Sequence, residues 1–222
     1  MLRYIKQLKF FFLVLAIVSV VIIYFIYSAL DNEKPLPIYQ PNRVDASLVD
    51  STIQHKKKYH AISDFKLINQ NGDIITQNHY KDKIYVADFF FTTCKTICPI
   101  MTTQMYRIQK EILDDDEVLL LSHSVTPEID SVEQLKRYAI EKGVNDKKWN
   151  LVTGDRKQIY DLARKSYLVV KDDGSDNYGM VHTENFALID KDKQIRGIYN
   201  GVSPVSVDSL IQDIKRLKKE YQ

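Results

Sequence analysis

The stretch DFFFTTCKTICPIMT (residues 88–102) contains both cysteines of this 222-residue chain, Cys94 and Cys98. If Cys98 lies in the first turn of a helix, residues four apart share one helix face, with Cβ atoms about 5–6 Å apart. Disulfides accept Cα separations of about 4.4–6.8 Å, so a bridge fits, and so do two thiolates on one metal ion. Spacing alone leaves open a structural disulfide, a redox disulfide, a zinc site and a copper site.

The neighbours of the two cysteines favour a reactive thiolate. A helix N-terminus stabilises anions, and Lys95 lies between the thiols. Pro99 follows Cys98 directly, in a first helical turn where a missing amide hydrogen costs little. A disulfide closing so small a loop removes little entropy from the unfolded chain. A purely structural disulfide is therefore a weak explanation of the pair.

Buried strands alternate with amphipathic helices on either side of the cysteines. Residues 83–91 (KIYVADFFF) and 117–125 (EVLLLSHSV) are apolar on both faces, as buried strands are. Residues 101–113 and 131–142 have apolar side chains at helical spacing. This alternation predicts one α/β domain with a mixed sheet.

Turn and cap signals predict the remaining elements. These are a hairpin in 61–76 around Asn71-Gly72, a strand at 149–154, a helix over 156–167 capped by Asp155, a hairpin over 185–201 and a closing helix over 207–222. The predicted fold class is α/β: a thioredoxin-like domain, with a mixed central sheet flanked by helices, in which a central strand delivers two cysteines to a helix N-terminus.

The N-terminal segment reads as a membrane anchor. Residues 10–30 are 21 uncharged residues, and a helix of that length rises roughly 30 Å, the thickness of a bilayer core. The three cations before them, within residues 1–9, should remain in the cytoplasm. We therefore expect one transmembrane helix in the inner (cytoplasmic) membrane, with the C-terminal domain in the periplasm or another extracytoplasmic space.

The expected organisation continues beyond the anchor. Residues 31–58, with three prolines and a run HKKK, predict a tether, and residues 59–222 the domain. The formal net charge is +2, and three cations precede the first acid, so the exported part is near neutral. A near-neutral domain offers no electrostatic surface for nucleic acid. Thiols outside the cytoplasm are normally oxidised, so a thiol reductant is an expected partner.

Five histidines could complete a metal site with the two thiols. Two thiolates and one imidazole are a ligand set for catalytic zinc with an open position, and they also suit soft Cu(I). We expect two histidines to be solvated in or near the basic tether, one to lie on the surface, one to be a core residue of a strand, and one to lie in a polar loop; they are His55 and His60, His79, His123, and His182, respectively. Because loops on a rigid scaffold often carry function, His182 is the favoured candidate.

DFFFTTCKTICPIMT resembles the signature of the Sco/SenC family of copper chaperones, which are thioredoxin-fold proteins anchored in membranes by one helix. The likeness continues through LLSHSVTPEIDSVEQLKRYA, NLVTGDRKQIYDLA and VHTENFALIDKDKQIRGIY, and it covers most of residues 60–220. By this resemblance Cys94, Cys98 and His182 bind copper. It implies delivery of copper to the binuclear copper centre of cytochrome c oxidase, or reduction of that centre's cysteines.

Three residues depart from the family pattern. Thr126 and Val181 stand where the family commonly has an acid, and Lys95 replaces a frequent proline. Fewer acids and one more cation should disfavour a net-positive metal complex, so Cu(I) is expected in preference to Cu(II).

Other residues near the cysteines could take part in the chemistry. Asp88 matches the family pattern six residues before Cys94, either as a proton shuttle for thiol exchange or as a structural acid. Met101 and Met105 have core spacing, and Met180 is a further candidate ligand.

The sequence thus predicts a copper-binding metallochaperone whose partners are the copper-centre subunit of cytochrome c oxidase or another copper protein. The alternative is a membrane-anchored thiol-disulfide oxidoreductase, in which Cys94 attacks a partner disulfide and Cys98 resolves the mixed disulfide. A third reading is a membrane-tethered adaptor that uses neither copper nor redox chemistry.

Overall fold

The N-terminal helix and the rest of the chain form separate compact units. The computed structural model describes residues 2–30, 34–170 and 183–222. Helix α1 covers Leu2–Leu30, and within it Lys9–Ile26 is long and apolar enough to cross a membrane. The division falls between Pro35 and Leu36.

The described residues from Leu36 onward build one seven-stranded sheet in the order β2-β1-β5-β4-β3-β6-β7. Its strands are β1 Lys66–Asn69, β2 Ile74–Thr76, β3 Ile84–Phe90, β4 Val118–Ser124, β5 Trp149–Thr153, β6 Asn185–Ile189 and β7 Ile195–Asn200. The helices are α2 Cys98–Glu111, α3 Val132–Lys142, α4 Arg156–Asp161, which continues as a π-helical turn over Leu162–Ser166, and α5 Pro204–Lys219.

Strand β3 lies at the centre of the parallel part of the sheet. It pairs in parallel with β4, and β4 pairs in parallel with β5. On its other side β3 pairs with β6 in antiparallel fashion. All seven residues of β3 are buried, as the apolar pattern of 83–91 predicts. The prediction of a mixed sheet flanked by helices is confirmed.

Alternate residues of β3 enter two hydrophobic cores, one on each face of the sheet. Val86 and Phe90 pack with residues of α2, α3 and α5, which include the fully buried Met101 and Met105. Tyr85 and the other residues of the opposite face pack with residues of α4 and the π-helical turn. Met101 and Met105 are core residues, as predicted.

The predicted caps and turns place the helix and hairpin ends. Ser131 accepts a hydrogen bond from the Gln134 N–H at the start of α3, which ends at Gly143 with φ +70°. Asp155 caps α4 in the same way. Gly72, with φ +84°, lies in the β1–β2 turn. The closing helix begins earlier than predicted and ends before Tyr221, whose side chain is 37% exposed.

Residues 36–58 are part of the domain, and the prediction of a tether over 31–58 is wrong for them. Leu36 and Val49 are buried in the two cores. The Tyr39 N–H donates to Ile195 O at 2.8 Å, and the Arg196 guanidinium donates to Leu36 O at 2.7 Å. Prolines and lysines made the segment resemble a linker, but its few apolar side chains complete the cores.

Candidate metal centre

The two cysteines lie at the junction of β3 and α2. Strand β3 ends at Phe90 and α2 begins at Cys98, so residues 91–97 form a short connection, here called the cysteine loop. Pro99 lies in the first turn of α2, as expected for a residue without an amide hydrogen. Cys94 is half-buried in the loop, and Cys98 is 3% exposed. Both are free thiols.

Hydrogen bonds hold the Cys94 sulfur against the start of α2. The Cys98 N–H donates to Cys94 Sγ at 3.4 Å, and the Thr96 hydroxyl lies 3.6 Å from the same sulfur. Burial raises the pKa of Cys94, but hydrogen bonds from Cys98 and Thr96 outweigh it and lower the pKa to about 7. The exposed Lys95 is not the principal cause. Cys94 is therefore substantially thiolate at neutral pH.

Cys98 has the opposite character. Burial, followed by its hydrogen bond to Cys94, raises the pKa of Cys98 to about 12, although a hydrogen bond with the Phe91 backbone opposes the shift. The negative charges of Cys94 and Asp88 act in the same direction as burial. Cys98 thus keeps its proton while Cys94 is ionised. The pair combines one half-buried, ionised nucleophile with one buried, protonated thiol.

Asp88 lies on the central strand β3, and its charge acts on Cys98. It is 2% exposed, and its Oδ1 has no hydrogen-bond partner among the described residues. Burial raises the pKa of Asp88 to about 7, against a hydrogen bond with the Ser122 hydroxyl, which lowers it. Asp88 therefore exchanges a proton in the same pH range as Cys94, and its charge acts on Cys98.

His182, the predicted third ligand, lies outside the described residues, as do Met180 and Val181. Within the described ranges, no group of three or more His, Cys, Asp or Glu side chains is placed to hold a metal ion. The structure nevertheless describes the residues on either side of the stretch 171–182. The Thr183 hydroxyl donates to Val169 O, and both residues line a cleft of about 460 Å³ that Ile97 of the cysteine loop also lines.

Two of the described histidines are buried. His123 is fully buried, with its ring stacked on Phe89 at 4.7 Å and its Nδ1 3.2 Å from Asp88 O. Burial lowers the pKa of His123 to about 4, so it is the core residue that was predicted. His60 was predicted to be solvated, and this is wrong. Its side chain is 6% exposed and its Nε2 lies 2.7 Å from Ser166 O, because the π-helical turn covers it.

The two other described histidines are exposed. His55 and His79 lie on the surface, as predicted, and His79 Nδ1 accepts a hydrogen bond from the Thr76 N–H at 3.0 Å.

Sequence reasoning missed a buried polar cluster beside the cysteine loop. Asp130 is fully buried and accepts hydrogen bonds from Thr92, Ser124 and Thr126. A signal was present, because hydroxyl residues follow two neighbouring parallel strands, and parallel strands end at the same edge of a sheet. Buried hydroxyl groups need acceptors, and Asp130 is the acid in the following segment.

The chain matches the SCO1/SenC family model over residues 53–219. It belongs to the SCO1/SenC family. A relative named SCO1 protein homolog, from Bacillus subtilis (strain 168), is 34% identical over 158 residues, which are 69% of this chain and 81% of the relative. The family assignment agrees with the fold and with the cysteine pair after the central strand.

Two solved structures extend the comparison. BsSco, described as a member of the Sco family of cytochrome c oxidase assembly proteins with a disulfide switch, is 32% identical. It aligns with a TM-score of 0.62 over 72% of this chain and 94% of its own. Bradyrhizobium japonicum ScoI with copper bound is 25% identical, with a TM-score of 0.56 over 72% of this chain and 99% of its own. These structures share the thioredoxin-like fold of this SCO1/SenC protein.

Proposed function

We propose that this SCO1/SenC protein binds copper through Cys94, Cys98 and His182 and delivers it to the copper centre of cytochrome c oxidase or to another copper protein. The observation that carries the proposal is the pair of free thiols at the N-terminus of α2, in which the pKa of Cys94 is lowered to about 7. One thiolate is thus present at neutral pH before any metal binds.

The donor set favours Cu(I). Thiolates are soft ligands that select Cu(I), and an imidazole is compatible with it. Metal ligands must be deprotonated, so copper binding would release the proton of Cys98. Exposed Lys95 adds a positive charge beside the pair, which should disfavour the more highly charged Cu(II).

The assignment of His182 rests on the resemblance of VHTENFALIDKDKQIRGIY to the family, and the cleft beside the cysteine loop is compatible with it. Thr183, the next residue in the chain, lines this cleft together with Ile97, the neighbour of Cys98. The copper-bound ScoI of Bradyrhizobium japonicum supports copper as the metal.

The proposed cellular placement is supported by the composition of α1. Lys9–Ile26 has the length and composition of a membrane span, and Arg3, Lys6 and Lys9 favour a cytoplasmic N-terminus. The domain would then face the periplasm or another extracytoplasmic space. Because thiols in such compartments are normally oxidised, the copper-binding form requires a thiol reductant as a partner.

Thiol-disulfide exchange is a second candidate, favoured by the separation of the two cysteine pKa values. The Cys94 thiolate would attack a partner disulfide, form a mixed disulfide and release one partner thiolate. Cys98, after losing its proton, for which Asp88 is the candidate acceptor, would attack Cys94 Sγ and release the second partner thiolate. The partner gains two electrons, and the protein is left as a Cys94–Cys98 disulfide that a reductant must reopen. BsSco, with its disulfide switch, supports this candidate.

A competitive Cu(I) titration of reduced residues 34–222 distinguishes the candidates. The metallochaperone reading predicts equimolar binding that weakens in Cys98→Ser and in His182→Ala but not in His55→Ala, which changes an exposed histidine. Parent-like binding by Cys98→Ser and His182→Ala would refute it. Absence of Cu(I) binding, combined with a strongly reducing Cys94–Cys98 pair in a redox titration, would favour the oxidoreductase.

A further inference from the structure

We propose that Asp130 is a positioning residue that holds Cys94 at its working distance from Cys98. The inference rests on the proposed use of the two thiols as a pair, either for Cu(I) or for disulfide exchange. It concerns a side chain that touches neither thiol and acts through Thr92, two residues before Cys94.

Asp130 is saturated by hydrogen-bond donors from the cysteine loop and its surroundings. Its Oδ1 accepts from the Thr92 hydroxyl at 2.5 Å. Its Oδ2 accepts from the Thr92 N–H at 3.2 Å, the Ser124 hydroxyl at 2.6 Å and the Thr126 hydroxyl at 3.1 Å. The residue is 0% exposed. A buried carboxylate that loses such donors is costly, so the cluster resists displacement.

Thr92 is held from two sides. Its hydroxyl donates to Asp130 and accepts from Gln134 Nε2 at 3.1 Å, and its N–H is also bonded to Asp130. Both polar groups of Thr92 that can donate are therefore directed at one carboxylate. The start of the cysteine loop is tied to the segment between β4 and α3, in addition to its covalent connection to β3.

The two cysteines are consequently anchored by different parts of the fold. Cys98 belongs to α2 and is buried with Met101 and Met105 in the core. Cys94 lies in the loop, where its backbone is placed by Thr92 and its sulfur accepts the Cys98 N–H at 3.4 Å. If the bonds between Thr92 and Asp130 are lost, the backbone of the loop is held less firmly, and the long contact with the Cys98 N–H is left to position Cys94 against α2, so the separation of the thiols changes. Side chains bonded directly to metal ligands typically change affinity or activity by about 10–100-fold when they are removed, and Asp130, which acts through Thr92, is expected at the lower end of that range.

The test uses reduced residues 34–222 and four variants. Asp130→Asn removes acceptor capacity, Thr92→Val removes the hydroxyl with little change in volume, and Thr92→Ser restores it. Asp190→Asn is the control, because Asp190 is also a buried carboxylate, bonded to Asp192 N–H, Gln194 N–H and Arg196. It follows Ile189, which pairs with Tyr85 near the opposite end of β3.

Two quantities are measured for each folded variant. The first is the equilibrium with glutathione, in which glutathione disulfide takes two electrons and two protons from the dithiol and leaves a Cys94–Cys98 disulfide. The second is Cu(I) affinity by ligand competition. Asp130→Asn and Thr92→Val should each lower the equilibrium constant for formation of the Cys94–Cys98 disulfide, and the Cu(I) affinity, by about tenfold or more. Thr92→Ser and Asp190→Asn should keep the parent equilibrium constant and the parent affinity.

The outcomes separate this inference from the proposed function. Parent-like values in both Asp130→Asn and Thr92→Val overturn the positioning role, and so does an equal loss in Asp190→Asn, which would mark general destabilisation. If Asp130→Asn does not fold, Thr92→Val and Thr92→Ser decide. If the parent does not bind Cu(I), the copper function fails, and the glutathione equilibrium still decides the role of Asp130.

Discussion

The Cys98 N–H donates a hydrogen bond to Cys94 Sγ at 3.4 Å, so the first turn of α2 stabilises the thiolate form of the residue four positions earlier. Burial, followed by a side-chain hydrogen bond to Cys94, raises the pKa of Cys98 and leaves it as the protonated partner. Helix N-termini favour anions because their N–H groups have no acceptor within the helix. The two cysteines are thus chemically unequal before any metal or partner arrives.

Alkylation of the reduced protein should report this inequality. With iodoacetamide, Cys94 should be modified first, and its rate should rise with pH through about 7, the pKa to which its hydrogen bonds lower it. Cys98, with its pKa raised to about 12, should react only slowly below pH 9. Peptide mass spectrometry over a pH series measures both. Faster labelling of Cys98 than of Cys94 would contradict the assignment.

Asp88→Asn should stabilise the protein in a pH-dependent manner. The pKa of Asp88 is raised to about 7 in the folded state, from a usual value of 3.8. Between these values the unfolded chain releases a proton that the folded chain keeps, so the contribution of Asp88 to stability is greatest below pH 3.8 and is lost as pH rises through about 7. Asparagine does not titrate. The stability difference between variant and parent should therefore grow over this window, reaching a few kcal/mol above pH 7.

Denaturant unfolding of both proteins in a Cys94→Ser/Cys98→Ser background provides the measurement, free of thiol ionisation. A difference in unfolding free energy that is flat from pH 4 to pH 8 would show that Asp88 is not buried as the structure has it.

Asp88→Asn in the protein that retains both cysteines should slow the resolution of mixed disulfides if Asp88 accepts the Cys98 proton.

Removal of residues 34–58 should destabilise the domain. Leu36 and Val49 fill positions in the two cores, and full burial of one aliphatic side chain is worth about 1.5–3 kcal/mol. A fragment beginning at residue 59 should unfold at markedly lower denaturant than one beginning at residue 34. Equal midpoints would restore the reading of this segment as a tether.

Arg196→Met should lower the free energy of unfolding strongly. The Arg196 guanidinium contacts Asp190 at 3.1 Å and Glu220 at 2.5 Å, and it also donates to Leu36 O. Removing one partner of a buried ion pair costs about 3–5 kcal/mol, because the other charge remains buried. Arg156→Met, which breaks an exposed pair with Glu128, should cost much less. Equal effects on unfolding free energy would count against the buried network.

Local sequence patterns predicted the central strand and the helix ends well, because strand burial and helix capping depend on residues that are close together in the sequence. The apolar run 83–91 forms β3. Ser131 and Gly143 cap the two ends of α3, as their residue types indicate. The cysteine pair and its place after the central strand were likewise readable, since two cysteines close in sequence must be close in space.

Features that depend on distant parts of the chain could not be read in this way. His60 is buried because the π-helical turn covers it, and Ser166 of that turn, 106 residues later, accepts its hydrogen bond through its carbonyl oxygen. The hydroxyl residues after β3 and β4 were a sequence signal for a buried acceptor, but the pairing of Asp130 with Thr92 depends on β3 and β4 lying side by side. Residues 36–58 contribute few apolar side chains, so no periodic pattern marks them as part of the core.

X-ray absorption spectroscopy at the copper edge, on the equimolar Cu(I) complex of residues 34–222, tests the central claim most directly. We expect two sulfur ligands and one nitrogen ligand in the parent and in His55→Ala, and loss of the nitrogen ligand in His182→Ala. A copper ion with fewer than two sulfur ligands, or a nitrogen ligand that persists in His182→Ala, would contradict the assignment of Cys94, Cys98 and His182 as the copper site.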